Sequence, residues 1–200
     1  MLPSVTRRLV WLVYLSTGRP IFRKRNIRSL KSIPTHDALI SVVRAFITSR
    51  LDYCNSLLLG LSDKLLQRLQ RIQNIAARIV TGCRKYDHIA PILKELHWLP
   101  VIKWIQFKTL MIAYQALNGL APIYLTELLH EKSNARTLRS SGELMLAVPK
   151  YKLQTSGLNA FSVAAPTSWN KLPSHIRNSK SPNVFKKQVK TFLFKQYFNR

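Results

Sequence analysis

A chain of 200 residues, 46% of them hydrophobic, is long enough to bury one core and is no disordered tail. Its 32 Lys and Arg against 8 Asp and Glu leave a formal net charge of +24 and a pI near 10.8; the natural partner is a polyanion, and RNA or DNA backbone comes ahead of membrane because the cations are spread through core-bearing segments. Two cysteines, Cys54 and Cys83, are too few for a disulfide framework, and no apolar run reaches the roughly 18 residues of a spanning helix.

Residues 1–34 read as a basic N-terminal arm. They carry Arg7, Arg8, Arg19, Arg23, Lys24, Arg25, Arg28 and Lys31 and no acidic residue, so the arm repels itself and attracts phosphate. The cluster Arg23, Lys24, Arg25, Arg28 and Lys31 suits a nucleic-acid arm or a nuclear import signal. The same lack of acids also fits a mitochondrial presequence, whereas the apolar run Leu9 to Leu15 is marginal as the core of a secretory signal. The expected location is nucleus or cytoplasm, with mitochondrial targeting left open.

After Pro34, Thr35 can cap a helix whose Leu39, Val42, Val43, Phe46, Ile47 and Leu51 recur at helical spacing. It should pack on the stretch Ser62 to Gly82, around which the chain is organised. There Leu65, Leu69, Ile72, Ala76 and Ile79 step by fours and threes into one apolar stripe, widened by Val80. Lys64, Arg68, Arg71 and Arg78 fall on a neighbouring strip within roughly 80° of arc. The stripe predicts a core face, and the strip a face for water or phosphate. Ser62 is the expected N-cap, Asp63 suits the positive end of the helix dipole, and Gly82 is the expected left-handed exit.

Pro100 opens a helix to about Leu117, ended by Asn118-Gly119; its apolar residues lie nearly all round, which predicts a central position. A short helix follows from Pro122 through Leu129. The polar run 131–143, with Ser140, Ser141 and Gly142, marks a boundary, and Leu144 to Leu153 reads as an extended piece or hairpin lying on the helices. Phe161 to Leu172 is aromatic and proline-rich, with Trp169 as its anchor. Ser181 and Pro182 start a last helix, with Val184, Phe185, Val189, Phe192 and Leu193 inward and Lys186, Lys187 and Lys190 outward. The predicted fold class is mainly α, a compact helical bundle with a small extended or irregular segment and a C-terminal amphipathic helix. Its predicted divisions are the arm 1–34, a helical core module 35–133, an irregular or extended segment 134–180, and the C-terminal helix 181–200.

The segments RLDYCNSLL from Arg50, LQRIQNIAARIVTG ending at Gly82, the turn His88-Ile-Ala-Pro91 and LHWLPV ending at Val101 are followed by YQALNGLAPIYL from Tyr114 to Leu125, FSVAAPTSWNKLPSHIR from Phe161 to Arg177, and FKKQVKTFLF ending at Phe194. In order and spacing they resemble the region after the polymerase core of LINE-type (non-LTR) retrotransposon reverse transcriptases, over about residues 21 to 198. The resemblance implies origin in an element that copies its RNA into DNA at a nicked target. In the intact parent, this region would follow the palm and help grip template and primer. A separate polymerase palm domain is therefore a candidate partner, and a structural or protein-interaction remnant of a transposable element is the competing reading.

Template-directed polymerisation needs two metal ions about 4 Å apart, held by closely placed carboxylates. The acids Asp37, Asp52, Asp63, Asp87, Glu95, Glu127, Glu131 and Glu143 include no adjacent pair, and the paired-aspartate motif that the resembled family keeps in its palm has no counterpart here. No catalytic residue, metal site or cofactor is expected. Cys83, His88 and His97, even with Cys54, match none of the usual zinc spacings, and Ser156 and Ser168 lie near no His and carboxylate relay in sequence. Tyr53, Trp98, Trp104 and Trp169 could stack bases, but each sits among Leu, Pro and Val, so packing is the preferred reading. The expected nucleic-acid-binding set is Arg23, Lys24, Arg25, Arg28, Lys31, Lys64, Arg68, Arg71, Arg78, Lys186, Lys187 and Lys190, acting on backbone phosphates.

Overall fold

A computed structural model describes residues 35–52, 55–59, 62–132, 145–150 and 160–199. The arm 1–34, Tyr53, Cys54, Glu143, Ser156 and the side chain of Phe46 lie outside the described residues. Those described fall into two units, one of 35–52 with 62–101 and the other of 55–59 with 102–199. Among the described residues the chain is mainly α and has no strand.

In the first unit, extended Thr35 accepts the Leu39 amide at 3.1 Å and so starts α1, His36–Val43. The helix widens into a π-helical stretch, Arg44–Thr48, and resumes as α2, Ser49–Asp52. The Ser49 hydroxyl donates to the Ala45 carbonyl inside the widened turn, competing with the regular ladder there. The amphipathic stretch is α3, Asp63–Thr81, followed by Gly82 at φ 69°. An added Cβ at Gly82 would meet nothing within 4 Å, so the glycine is needed for its backbone angle alone. Ser62 holds the N-cap position, but its hydroxyl makes no capping bond. Its carbonyl instead accepts from Leu65 and Leu66 at 2.9 and 3.1 Å. A short helix α4, Ile89–Glu95, follows.

The apolar stripe of α3 does face a core. Val43 and Ile47 pack with Ala76 and Val80, and Leu39, Ile40, Leu51, Ile72, Leu96 and Trp98 close around them. Hydrogen bonds lock the same surfaces. The His36 Nε2 lies 3.1 Å from the Val80 carbonyl, one of the last four of α3 that lack a partner within the helix. A carbonyl only accepts, so that ring nitrogen carries the proton. On another side of α3, Gln70 Nε2 donates to Gln73 Oε1 at 2.9 Å and to Asn74 Oδ1 at 2.8 Å, while Gln70 Oε1 accepts the Val101 amide at 2.9 Å. Gln73 Nε2 in turn donates to the Leu99 carbonyl at 2.8 Å.

The second unit comprises a 3₁₀ turn, Asn55–Leu58, and five helices among its described residues: α5, Val101–Leu117, whose first residue belongs to the other unit; α6, Ile123–Thr126; α7, Phe161–Asn170; α8, Ser174–Arg177; and α9, Pro182–Phe198. Its core forms where α5 meets α7 and α9. The Tyr114 ring stacks on Phe185 at 4.2 Å, and Trp169 tilts against the same Phe185 at 5.7 Å. Tyr114 keeps its hydroxyl satisfied at the Ser179 carbonyl, 2.8 Å away. Phe185, Val189 and Leu193 are the buried face of α9. Val184, expected inward, is exposed, because it sits one residue and so about 100° away from Phe185 around the helix.

Within the span 134–180, expected to be irregular or extended, two described stretches are helical, α7 and α8. Residues 161–170 are helical even though Pro166 lies inside the helix, where it removes the bond that an amide would donate to the Ser162 carbonyl. Burial of Val163, Ala165, Pro166 and Trp169 offsets the lost bond. The extended character survives at 145–150. Leu146 forms an antiparallel bridge with Glu131, made by Lys132 N to Met145 O at 2.9 Å and Ala147 N to His130 O at 2.8 Å. Leu146 aims its own amide and carbonyl the other way, and the Asn170 side chain clasps both at 2.9 and 2.8 Å. That amide stands in for a neighbouring strand, which is how one extended piece is held among helices.

Candidate nucleic-acid interface

Because Lys64, Arg68, Arg71 and Arg78 are successively four, three and seven residues apart, α3 carries them on one side over a rise of about 21 Å. Lys64 and Arg71 are exposed and Arg68 is half-buried. None of these three side chains has a hydrogen-bond or ion-pair partner among the described residues. Ile75, 37% exposed, lies on the same strip between Arg71 and Arg78. The strip is therefore cationic at its N-terminal half and interrupted by an apolar side chain further along.

Arg78 has a different task. Its Nη2 donates to the Asp87 carbonyl at 2.9 Å, and its Nε is buried with no hydrogen-bond partner. The guanidinium thus braces the connection from α3 to α4. The Asp87 carboxylate completes the brace by accepting the Arg84 amide at 2.7 Å. Arg84 and Lys85 are exposed on this connection, and Lys85 Nζ stands 5.4 Å from the Tyr86 ring centroid. Neither basic residue stood out by periodicity, since a connection has no helical period. The signal that could have marked them is a basic pair followed by an aromatic, beginning two residues after the helix-ending Gly82.

Lys186, Lys187 and Lys190 are exposed on α9, in the second unit, and so is Lys195 beyond them. No acidic residue follows Glu143 in the chain, so nothing on α9 neutralises them. The cations Arg23, Lys24, Arg25, Arg28 and Lys31 lie outside the described residues.

The three tryptophans among the aromatic candidates are used in packing. Trp169 is fully buried, Trp98 closes the first core, and Trp104 stacks on Phe107 at 5.3 Å with Lys108 Nζ 5.7 Å from its centroid. His88 is the residue before α4, and His97 takes a left-handed φ of 53° with its Nδ1 donating to the Glu95 carbonyl at 3.0 Å. Among the described residues, no three His, Cys, Asp or Glu side chains gather into a group that could hold a metal ion. No helix among them is long and apolar enough to cross a membrane. No family model, curated protein or solved structure matches the chain.

Proposed function

We propose that this chain is a non-catalytic nucleic-acid-binding fragment derived from the C-terminal part of a non-LTR retrotransposon reverse transcriptase. The observation that carries the binding is the outer face of α3, where Lys64, Arg68 and Arg71 stand side by side with no hydrogen-bond or ion-pair partner among the described residues, in a chain of net charge +24. The order and spacing of the segments from RLDYCNSLL to FKKQVKTFLF support the descent. Cations on a packed helix grip phosphates by displacing condensed counterions, so affinity is independent of base sequence and falls steeply with salt. Exposed Lys186, Lys187 and Lys190 on α9 offer the second unit a surface of the same chemistry. Salt titrations on single strands and duplexes of unrelated sequence test the binding. Primer-extension and nicking assays with magnesium or manganese test the rest, and metal-dependent product that disappears with Asp52→Ala or Asp87→Ala would overturn the non-catalytic reading.

A specific observation favours a second reading, docking to protein, including a separate polymerase palm domain. Leu120, Ile123, Tyr124 and Leu128 are all exposed within one short stretch around α6, more apolar surface than scattered surface residues usually leave. Co-migration of the chain with a purified palm fragment, abolished by Ile123→Ser with Tyr124→Ser, is the expected result on that reading.

A further inference from the structure

Of the exposed large apolar side chains among the described residues, Tyr86 is the most open, at 88%. It is not on a loose excursion. The turn that carries it is tied three times: Asp87 accepts the Arg84 amide on its carboxylate at 2.7 Å, its own amide donates to the Arg84 carbonyl at 3.3 Å, and its carbonyl accepts from Arg78 at 2.9 Å. The ring lies beside the Lys85 ammonium at 5.4 Å, and no other ring among the described residues lies against it. The result is a flat apolar surface held out to solvent, with a cation beside it and Arg84 next in the chain.

Resting on the nucleic-acid reading above, we propose that Tyr86 is a stacking platform for an unpaired base of the strand whose phosphates the α3 cations hold, so that the first unit prefers single-stranded to continuous duplex nucleic acid. In a duplex each base already lies between its neighbours and has no face to offer, whereas an unpaired base does. An aromatic ring accepts any base, because every base has a π face, and a flanking cation holds the backbone that leads to it. Between Arg71 and Gly82 the helix rises about 16 Å, so phosphates on the strip and a base at Tyr86 are reached by one strand running along α3. A ring that is fully packed, such as Trp169, can do none of this.

The test uses the full chain with a labelled oligothymidylate, a duplex of mixed sequence and vesicles of anionic phosphatidylserine. Tyr86→Ala should weaken oligothymidylate binding about tenfold and leave duplex affinity and the salt slope unchanged, while Tyr86→Phe and Tyr86→Trp retain the parent's affinity. Circular dichroism melts of the variants should match the parent, since the side chain supports no core. An unchanged single-strand affinity in Tyr86→Ala overturns the proposal while leaving phosphate binding in place. Equal losses on single strand and duplex also overturn it, as does a loss confined to the vesicles, which makes Tyr86 a membrane anchor. Failure of the parent chain to bind either nucleic acid at low salt overturns the proposal together with the function it rests on.

Discussion

Gln70→Ala should be among the most damaging polar substitutions in the first unit. Gln70 makes three hydrogen bonds at 2.8 to 2.9 Å, as acceptor for the Val101 amide and as donor to Gln73 and Asn74. Val101 opens α5, so its amide is one of four that the helix itself cannot satisfy, and the residue is only 4% exposed, which leaves water little access. Stranding a buried donor costs about 1–3 kcal/mol, and each of the two amide–amide bonds contributes about 0.5–1.5 kcal/mol net. Gln73 retains its bond to Leu99 and both acceptors can turn to water, so the expected loss is about 2 kcal/mol, or about 4–8 °C in Tm for a chain of this length. Gln70→Glu separates the two contributions, since it keeps the acceptor for Val101 and removes both donors. Thermal melts measure the total, and amide exchange at Val101 reads the single bond. A Gln70→Ala protein that melts with the parent and still protects the Val101 amide would show that Gln70 does not hold the start of α5.

Leu69→Ala should cost about 2–5 kcal/mol by thermal or urea melts, because Leu69 is buried on the inner face of α3. Ile75→Ala, on the exposed strip, should stay within about 0.5 kcal/mol, and the reverse order would show that the wrong face has been placed inside. Gly82→Ala should cost about 1 kcal/mol through its left-handed φ of 69°, and Gly82→Asn less, since space is open around the site. Replacing Arg68 and Arg71 together by Gln should weaken binding to all sequences alike and flatten the log–log salt slope by somewhat under two, at about 0.7 to 0.9 per lost phosphate contact. Arg78→Gln should change that slope less, because its guanidinium is engaged with the Asp87 carbonyl. A larger slope change for Arg78 than for Arg71 would reassign the strip.

Taken alone, the sequence determined what a single helix can encode. Threes and fours of Leu, Ile and Ala marked the inner face of α3, Gly82 and Gly119 marked left-handed exits, and prolines at 34, 100, 122 and 182 stood at or just before helix starts. These are properties of a residue and its neighbours within one or two turns, and they hold whatever lies around them. Tertiary structure decided the rest, because it turns on partners far along the chain. Asn170 clasps Leu146 across 24 residues and Gln70 meets Val101 across 31, pairings that no local period announces. Pro166 argues against helix until the burial of Val163, Ala165 and Trp169 outweighs its missing amide. Arg78 belongs to the cationic strip by its angle around α3, yet the fold turns its guanidinium onto the Asp87 carbonyl. The Leu, Pro and Val around Trp98, Trp104 and Trp169 already favoured packing over base stacking, and the closure of elements on one another packs all three; that the same closure leaves Tyr86 outside is something no local pattern announced.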